Sequence, residues 1–198
     1  LLDRAEETFH RLAETQFASQ ASRALLEIYQ REKEWKRAID ATLALQASGA
    51  GAFQKEIAQF HCELAQDELV HVNPDAALAT LEKALSYDRN NVRATILVGD
   101  ALLSKGDTEG ALRAWRRVEQ QSAAHVGLVA QRLMDGYRTV GRADEGLRLL
   151  KGYLAEAPAI DLLEVVFRAE LELAGPGAAN QLVTDELRRM PTLLALDK

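Results

Sequence analysis

Apolar and polar residues follow one another along this chain with the spacing of helices rather than strands. No run keeps a period of two for long, and the β-branched residues are scattered rather than grouped. Leu, Ala, Glu and Arg recur throughout, and these side chains lose little by entering a helix. Four prolines and twelve glycines leave long stretches uninterrupted. The pattern predicts an all-α chain whose helices carry apolar stripes on more than one side. Helices of about a dozen residues are marginal alone in water, so each must stack on its neighbours to bury those stripes.

The spacing of small residues predicts how the helices are grouped. Six segments share a loop, an acidic or polar residue, a small residue and then a large apolar one. They are Asp3-Arg4-Ala5 with Phe9, Trp35-Lys36-Arg37-Ala38 with Ile39, and Pro74-Asp75-Ala76-Ala77 with Leu81. The series continues with Gly106 to Ala111 and Trp115, Gly141 to Gly146 and Leu150, and Gly175 to Ala179 and Val183. The shared small residues Ala5, Ala38, Ala77, Ala111, Gly146 and Ala179 lie 33, 39, 34, 35 and 33 residues apart. Twelve residues beyond them, where a second helix must stop, stand Pro158, Pro191 and the turn Arg89-Asn90-Asn91. Proline lacks the N–H and clashes with the preceding turn, so it punctuates helices.

A period near 34 residues is that of the tetratricopeptide repeat, in which antiparallel helical hairpins stack into a superhelical solenoid. Val98-Gly99 resembles the Leu-Gly pair of its first helix, and Tyr29 and Tyr137 match its aromatic position. The predicted layout is a single array over 1–198. It comprises a half repeat at 1–18, repeats at 19–52, 53–91, 92–125, 126–158 and 159–191, and the start of a further helix at 192–198. The 39-residue spacing predicts an insertion around Gln46 to Ala52, either a longer loop or a loop followed by a lengthened helix. Phe167 stands where the last repeat expects a small residue, so helix pairing should adjust there. Both ends fall within helical patterns, and the expectation is a fragment of a longer protein.

Charge and chemistry narrow the function classes. The chain has a net charge of −6, and its basic residues are interleaved with acidic ones, as in Arg31-Glu32-Lys33-Glu34-Trp35-Lys36-Arg37. That argues for solvated helix faces with i,i+4 pairs and against a nucleic-acid partner, which would want a basic stripe. The one cysteine, Cys62, allows no internal disulfide. No apolar run reaches the roughly 18 residues of a membrane span. There is no phosphate-binding G-x-x-x-x-G-K-[ST] loop and no G-x-S-x-G elbow. Gly175-Pro176-Gly177 follows no strand and reads as a turn. His10, His61, His71 and His125 include no i,i+4 pair for a metal, and His61-Cys62-Glu63 diverge around a helix. Cys62 reads as packed, His61 as a groove or surface residue, and Trp35 and Trp115 as packing residues. No catalytic residue, metal or cofactor is expected within these residues, and the chain is expected not to be an enzyme.

The candidate site is then the concave face of the array, lined by the first helix of each hairpin. Counting along the repeat places Gln20, Arg23, Glu27 and Gln30 there, followed by Gln59, Cys62 and Gln66, and by Arg93, Ile96 and Asp100. The later repeats contribute Gln131, Asp135 and Arg138, then Asp161, Glu164 and Arg168. This polar face of mixed sign suits a folded partner or an extended peptide. It lacks the Lys-plus-Asn pattern of repeats that clamp a C-terminal carboxylate, which argues against a chaperone-tail receptor. Charge reversal at Arg23 and Arg93 together should weaken binding without unfolding the array.

Three stretches are more specific than the repeat: Arg4 to Phe9, Leu25 to Asp40 and Lys55 to Ala65. They resemble the lipopolysaccharide assembly protein B family of Gram-negative bacteria, and the resemblance weakens in the last third of the chain. It implies a membrane anchor before the array and a rubredoxin-like domain holding iron or zinc after it, so the metal falls outside these residues. It further implies a soluble segment on the cytoplasmic face of the inner membrane. The implied role is an adaptor that limits lipopolysaccharide synthesis by bringing the LpxC deacetylase to the membrane protease FtsH, with lipopolysaccharide assembly proteins as further partners. Alternatives are a generic repeat module in cell-envelope assembly or secretion, and a non-catalytic arm of an enzyme. An exposed stacking face at either end could also support a homodimer.

Overall fold

The computed structural model describes residues 2–12 and 15–189; the further helix expected at 192–198 lies outside them. Eleven α helices account for most of the described residues, and there is no strand among them. They are α1 (Leu2–Leu12), α2 (Ala18–Glu32), α3 (Trp35–Ala47), α4 (Gln54–Val70), α5 (Pro74–Tyr87) and α6 (Val92–Ser104). Then come α7 (Thr108–Gln121), α8 (Gly127–Thr139), α9 (Ala143–Glu156), α10 (Ile160–Ala174) and α11 (Pro176–Arg189). A single 3-10 turn, Ala123–His125, precedes α8.

Local chemistry starts several of these helices where the sequence places turn residues. The Asn73 side chain accepts from the Ala76 N–H with Pro74 in the first turn, Asn91 accepts from Ala94 N–H at 2.9 Å, and Asp107 accepts from Gly110 N–H at 2.7 Å. Each satisfies one of the free donors at a helix start. The turns between helices have a second regularity. Lys33, Val72, Gly106, Gly141 and Gly175 all have positive φ, from 55° to 87°. Their spacings of 39, 34, 35 and 34 residues reproduce the repeat period. Where an insertion was predicted, both alternatives occur: the connection spans 48–53, and the helix after it, α4, has 17 residues.

The chain divides into two compact units, residues 1–105 and residues 106–198. In the first, each of α1 to α5 packs on the next, and α4 also packs on α6. In the second, α7 packs on α8, α8 on α9, α9 on α10 and α10 on α11, and α8 also reaches α10. The contacts α4–α6 and α8–α10 join alternate helices, which is how hairpins of this repeat stack. One cluster of the first unit gathers Leu25, Ile28, Tyr29, Ala38, Ile39, Ile57 and Phe60, with Trp35 stacked on Phe60 at 6.2 Å. A second contains Cys62, Ala65, Ala77, Leu81, Ala84 and Ala94. In the second unit, Trp115, Leu133, Met134, Leu150, Leu162 and Val166 are fully buried.

The small residues that defined the period sit at the closest helix approaches. Ala38, Ala77, Ala111 and Ala179 are each 0% exposed. A Cβ added to Gly146 on α9 would stand 2.8 Å from the Tyr137 Cβ on α8. Larger side chains would force these helices apart, which is why the position stays small.

Candidate protein-binding site

The expected row on α2 is present. Gln20, Arg23, Glu27 and Gln30 are all exposed, while Ala21, Leu25, Ile28 and Tyr29 fill the opposite face. Among the described residues, no hydrogen bond or ion pair holds the side chains of Arg23 or Glu27. This face is polar and uncommitted.

On α4 and α6 the structure brings candidates together around a residue that the counting missed. Gln59 Nε2 donates to Glu63 Oε1 at 2.9 Å. From α6, both terminal nitrogens of Arg93 engage the same carboxylate, Nη2 donating to Oε2 at 3.0 Å, and Nη2 also donates to Gln66 Oε1 at 2.7 Å. The guanidinium hydrogen bonds hold the Glu63 carboxyl below its usual pKa range. Arg93 is thus a strut between packed helices, and its reversal would disturb their packing, against the expectation that it would leave the fold intact. Asp100 is half-buried and already engaged, as is Ile96. The sequence carried a signal for Glu63, since Gln59 and Glu63 lie four residues apart on one helix face.

Two residues beside Glu63 lie off the row: Cys62, which the count placed on it, is packed, as its chemistry suggested, and His61 departs from expectation. Cys62 does not line an open face: it is 0% exposed, and burial pushes its thiol up to about 11. Its S–H points to Asn91 Oδ1 at 3.8 Å, the oxygen that caps α6. His61 is not a groove or surface residue either. It is buried and stacked on Tyr87 at 5.9 Å, and burial, with Lys83 nearby, holds its imidazole below the usual pKa. In α4 the face toward Gln59 and Gln66 passes through Glu63, which leaves 61 and 62 turned to the core.

In the second unit, Gln131 Nε2 donates to both Asp135 carboxylate oxygens at 2.9 Å. Arg138 Nη1 donates to Asp135 Oδ1 at 2.9 Å, and its Nη2 donates to Glu172 Oε2 on α10 at 2.5 Å. Glu172, also missed, stands 34 residues after Arg138, one repeat away. Farther along α10, Arg168 donates to Glu164 at 2.5 Å, and exposed Asp161 lies in the first turn beside Gly127.

A pocket of about 280 Å3 in the first unit was not foreseen. Its walls include His10, Leu25, Tyr29, Arg37 and Ala44. The Tyr29 hydroxyl donates to Glu6 at 3.2 Å and contacts His10 Nε2 at 3.0 Å, while the Arg37 guanidinium lies over the Tyr29 ring. The partners of the Tyr29 hydroxyl are 19 and 23 residues away, so no local pattern announces them. Among the described residues, no cluster of His, Cys, Asp or Glu is placed to hold a metal ion, and no helix is long and apolar enough to cross a membrane.

Comparison with known proteins bears on what this scaffold serves. No protein-family model matches the chain. Three solved structures share the fold: MamA, with a TM-score of 0.55 at 13% identity over 89% of this chain and 94% of that one; YrrB, described as a tetratricopeptide protein with an unusual peptide-binding site, with 0.52 at 20% identity over 81% and 80%; and the type IV pilus biogenesis factor PilW, with 0.52 at 17% identity over 91% and 81%. At these identities the likeness concerns architecture alone. Closer in sequence is lipopolysaccharide assembly protein B of Escherichia coli, 33% identical over 100% of this chain and 51% of that protein. The protein of the same name from Haemophilus influenzae is 28% identical over 97% and 48%. The chain spans about half the length of the curated relatives it matches. With tetratricopeptide architecture and this similarity along its whole length, the chain is a homologue of about half of lipopolysaccharide assembly protein B.

Proposed function

We propose that the chain is the protein-binding array of an adaptor that limits lipopolysaccharide synthesis by presenting the LpxC deacetylase to the protease FtsH. Holding substrate and protease on one scaffold raises their effective concentration, to the millimolar range for short tethers. Such a role needs binding surfaces and no catalytic group. The observation that carries the reading is the uncommitted polar row on α2, where Arg23 and Glu27 are exposed and unpaired among the described residues. The family similarity supports the setting. An anchor outside this chain would place the array beside the inner membrane.

Titration of the purified chain against LpxC, and separately against the cytoplasmic part of FtsH, tests this. Saturable binding that Arg23→Glu with Glu27→Lys weakens about tenfold, with an unchanged melting curve, is the expected result. Arg93→Glu is the contrasting variant, because it breaks the Glu63 and Gln66 contacts and should lower stability too. Failure of the full-length parent to bind either protein would refute the reading.

A further inference from the structure

The clearest surface feature outside that row is on α7. Arg113, Arg116, Arg117 and Gln120 are exposed and follow one another at i, i+3, i+4 and i+7, so they share one face of the helix. Together with Glu119 they border a cleft of about 190 Å3. The chain as a whole carries −6, and several of its other arginines are paired across helices: Arg37 with Glu6, Arg93 with Glu63, Arg138 with Glu172 and Arg142 with Glu109. Arg113 and Arg117 have no carboxylate partner among the described residues. Glu109, one turn before Arg113, could have neutralised it, but both of its oxygens accept from Arg142, at 2.7 and 2.9 Å.

Packing does not explain the cluster. α7 buries Ala111, Leu112, Ala114, Trp115 and Val118, which leaves the arginines on the solvent side. The repeat does not demand them either. At the corresponding places, α5 carries Ala79, Glu82, Lys83 and Ser86, and α11 carries Gln181, Thr184, Asp185 and Arg188. Arg116 is partly fixed, because it lies against the Tyr137 and Tyr153 hydroxyls. A fixed guanidinium flanked by two free ones suits carboxylates, which the planar fork grips with two hydrogen bonds.

We propose that this face of α7 is a second docking site, and that its occupant is an acidic peptide segment of a partner protein. The seven-residue span of the stripe measures about 10 Å along the helix, the length of roughly three extended residues. The chain's net charge of −6 disfavours an extended polyanion or an anionic bilayer, which would cover far more of its surface than the stripe. A short run of Asp or Glu can stay on the arginines, which outnumber the single carboxylate, Glu119, at the cleft. The site is separate from the α2 row, and it stands or falls independently of the partners named above.

The test is fluorescence anisotropy of a fluorescein-labelled hexaglutamate peptide titrated with the 198-residue chain at low and at raised ionic strength. Saturable binding that weakens with salt and falls about tenfold or more in Arg113→Glu with Arg117→Glu supports the site. The melting curve of that variant should match the parent's, and Arg23→Glu should leave peptide binding intact. Binding unchanged by the α7 reversals overturns the proposal, as does absence of binding at low salt. Arginine-dependent binding to phosphatidylglycerol vesicles without peptide binding also overturns it and assigns the face to lipid.

Discussion

Val72 holds φ at 55° in the turn between α4 and α5 while its side chain is 78% exposed. A left-handed backbone costs an L residue about 1–2 kcal/mol, and a β-branched side chain has the least room for it. Nothing in packing offsets this, because an exposed side chain buries little. The turn's hydrogen bonds, Val72 N–H to Leu69 at 3.0 Å and Asn73 N–H to Glu68 at 2.9 Å, are backbone bonds that any residue can make. Val72→Gly should therefore relieve the strain and lose only the extra freedom glycine has when unfolded, about 0.5–1 kcal/mol. The expected net effect is a gain of about 0.5–1 kcal/mol. For a chain of this size that raises Tm by about 1–4 °C. Circular dichroism melts and urea titrations of parent and variant measure it directly. Gly106→Val, at the matching turn where φ is 83°, is the reciprocal change and should destabilise. A lower midpoint for Val72→Gly, or no loss in Gly106→Val, would refute the strain argument and point to a packing role for the Val72 side chain.

Other predictions follow from single sites. Gly152→Ala on α9 meets nothing within 4 Å and should gain up to about 1 kcal/mol from helix propensity, whereas Gly146→Ala drives a Cβ onto Tyr137 and should fall about 1–3 kcal/mol below it in urea titrations. Cys62 should resist a thiol reagent such as DTNB near pH 8 in the folded chain and react once urea exposes it, since burial both hides the thiol and disfavours its thiolate. His61 should make the fold acid-sensitive. Its folded pKa lies below the unfolded value of about 6.5, so below that pH the unfolded chain takes up a proton that the folded one resists. Stability should fall as pH drops from about 6.5 toward the folded pKa, and His61→Phe, which can keep the stack on Tyr87, should flatten that slope in melts between about pH 7.5 and 5.5.

Much of the fold was legible because the repeat uses few rules many times. The small residue at each closest helix approach is a steric requirement, so Ala38, Ala77, Ala111, Gly146 and Ala179 mark the period wherever two helices must touch. The glycines at 106, 141 and 175 mark turns for an equally local reason, and only Val72 and Lys33 disguise the same backbone shape. The candidate site was legible in part. On α2 the polar face could be counted out because the opposite face is plainly apolar. On α4 the count fell one residue away, on Cys62 instead of Glu63, because a helix buried on more than one side gives no clean polar stripe to fix the register.

The sequence by itself thus determined the all-helical class, the period, the sites of close helix contact and the resemblance to lipopolysaccharide assembly protein B. Each of these rests on residue type at a fixed spacing, which a one-dimensional pattern can hold. Which charges meet was decided only by the tertiary structure. Interleaved acids and bases read locally as i,i+4 pairs, yet Arg93 meets Glu63, Lys105 meets Asp75, Arg142 meets Glu109 and Arg138 meets Glu172, each 30 to 34 residues away. Stacking brings side chains one repeat apart within reach, and that same selection leaves Arg113 and Arg117 without a carboxylate among the described residues. A surface charge becomes a strut or a docking group according to what the next hairpin places beside it, and helix packing sets that neighbour.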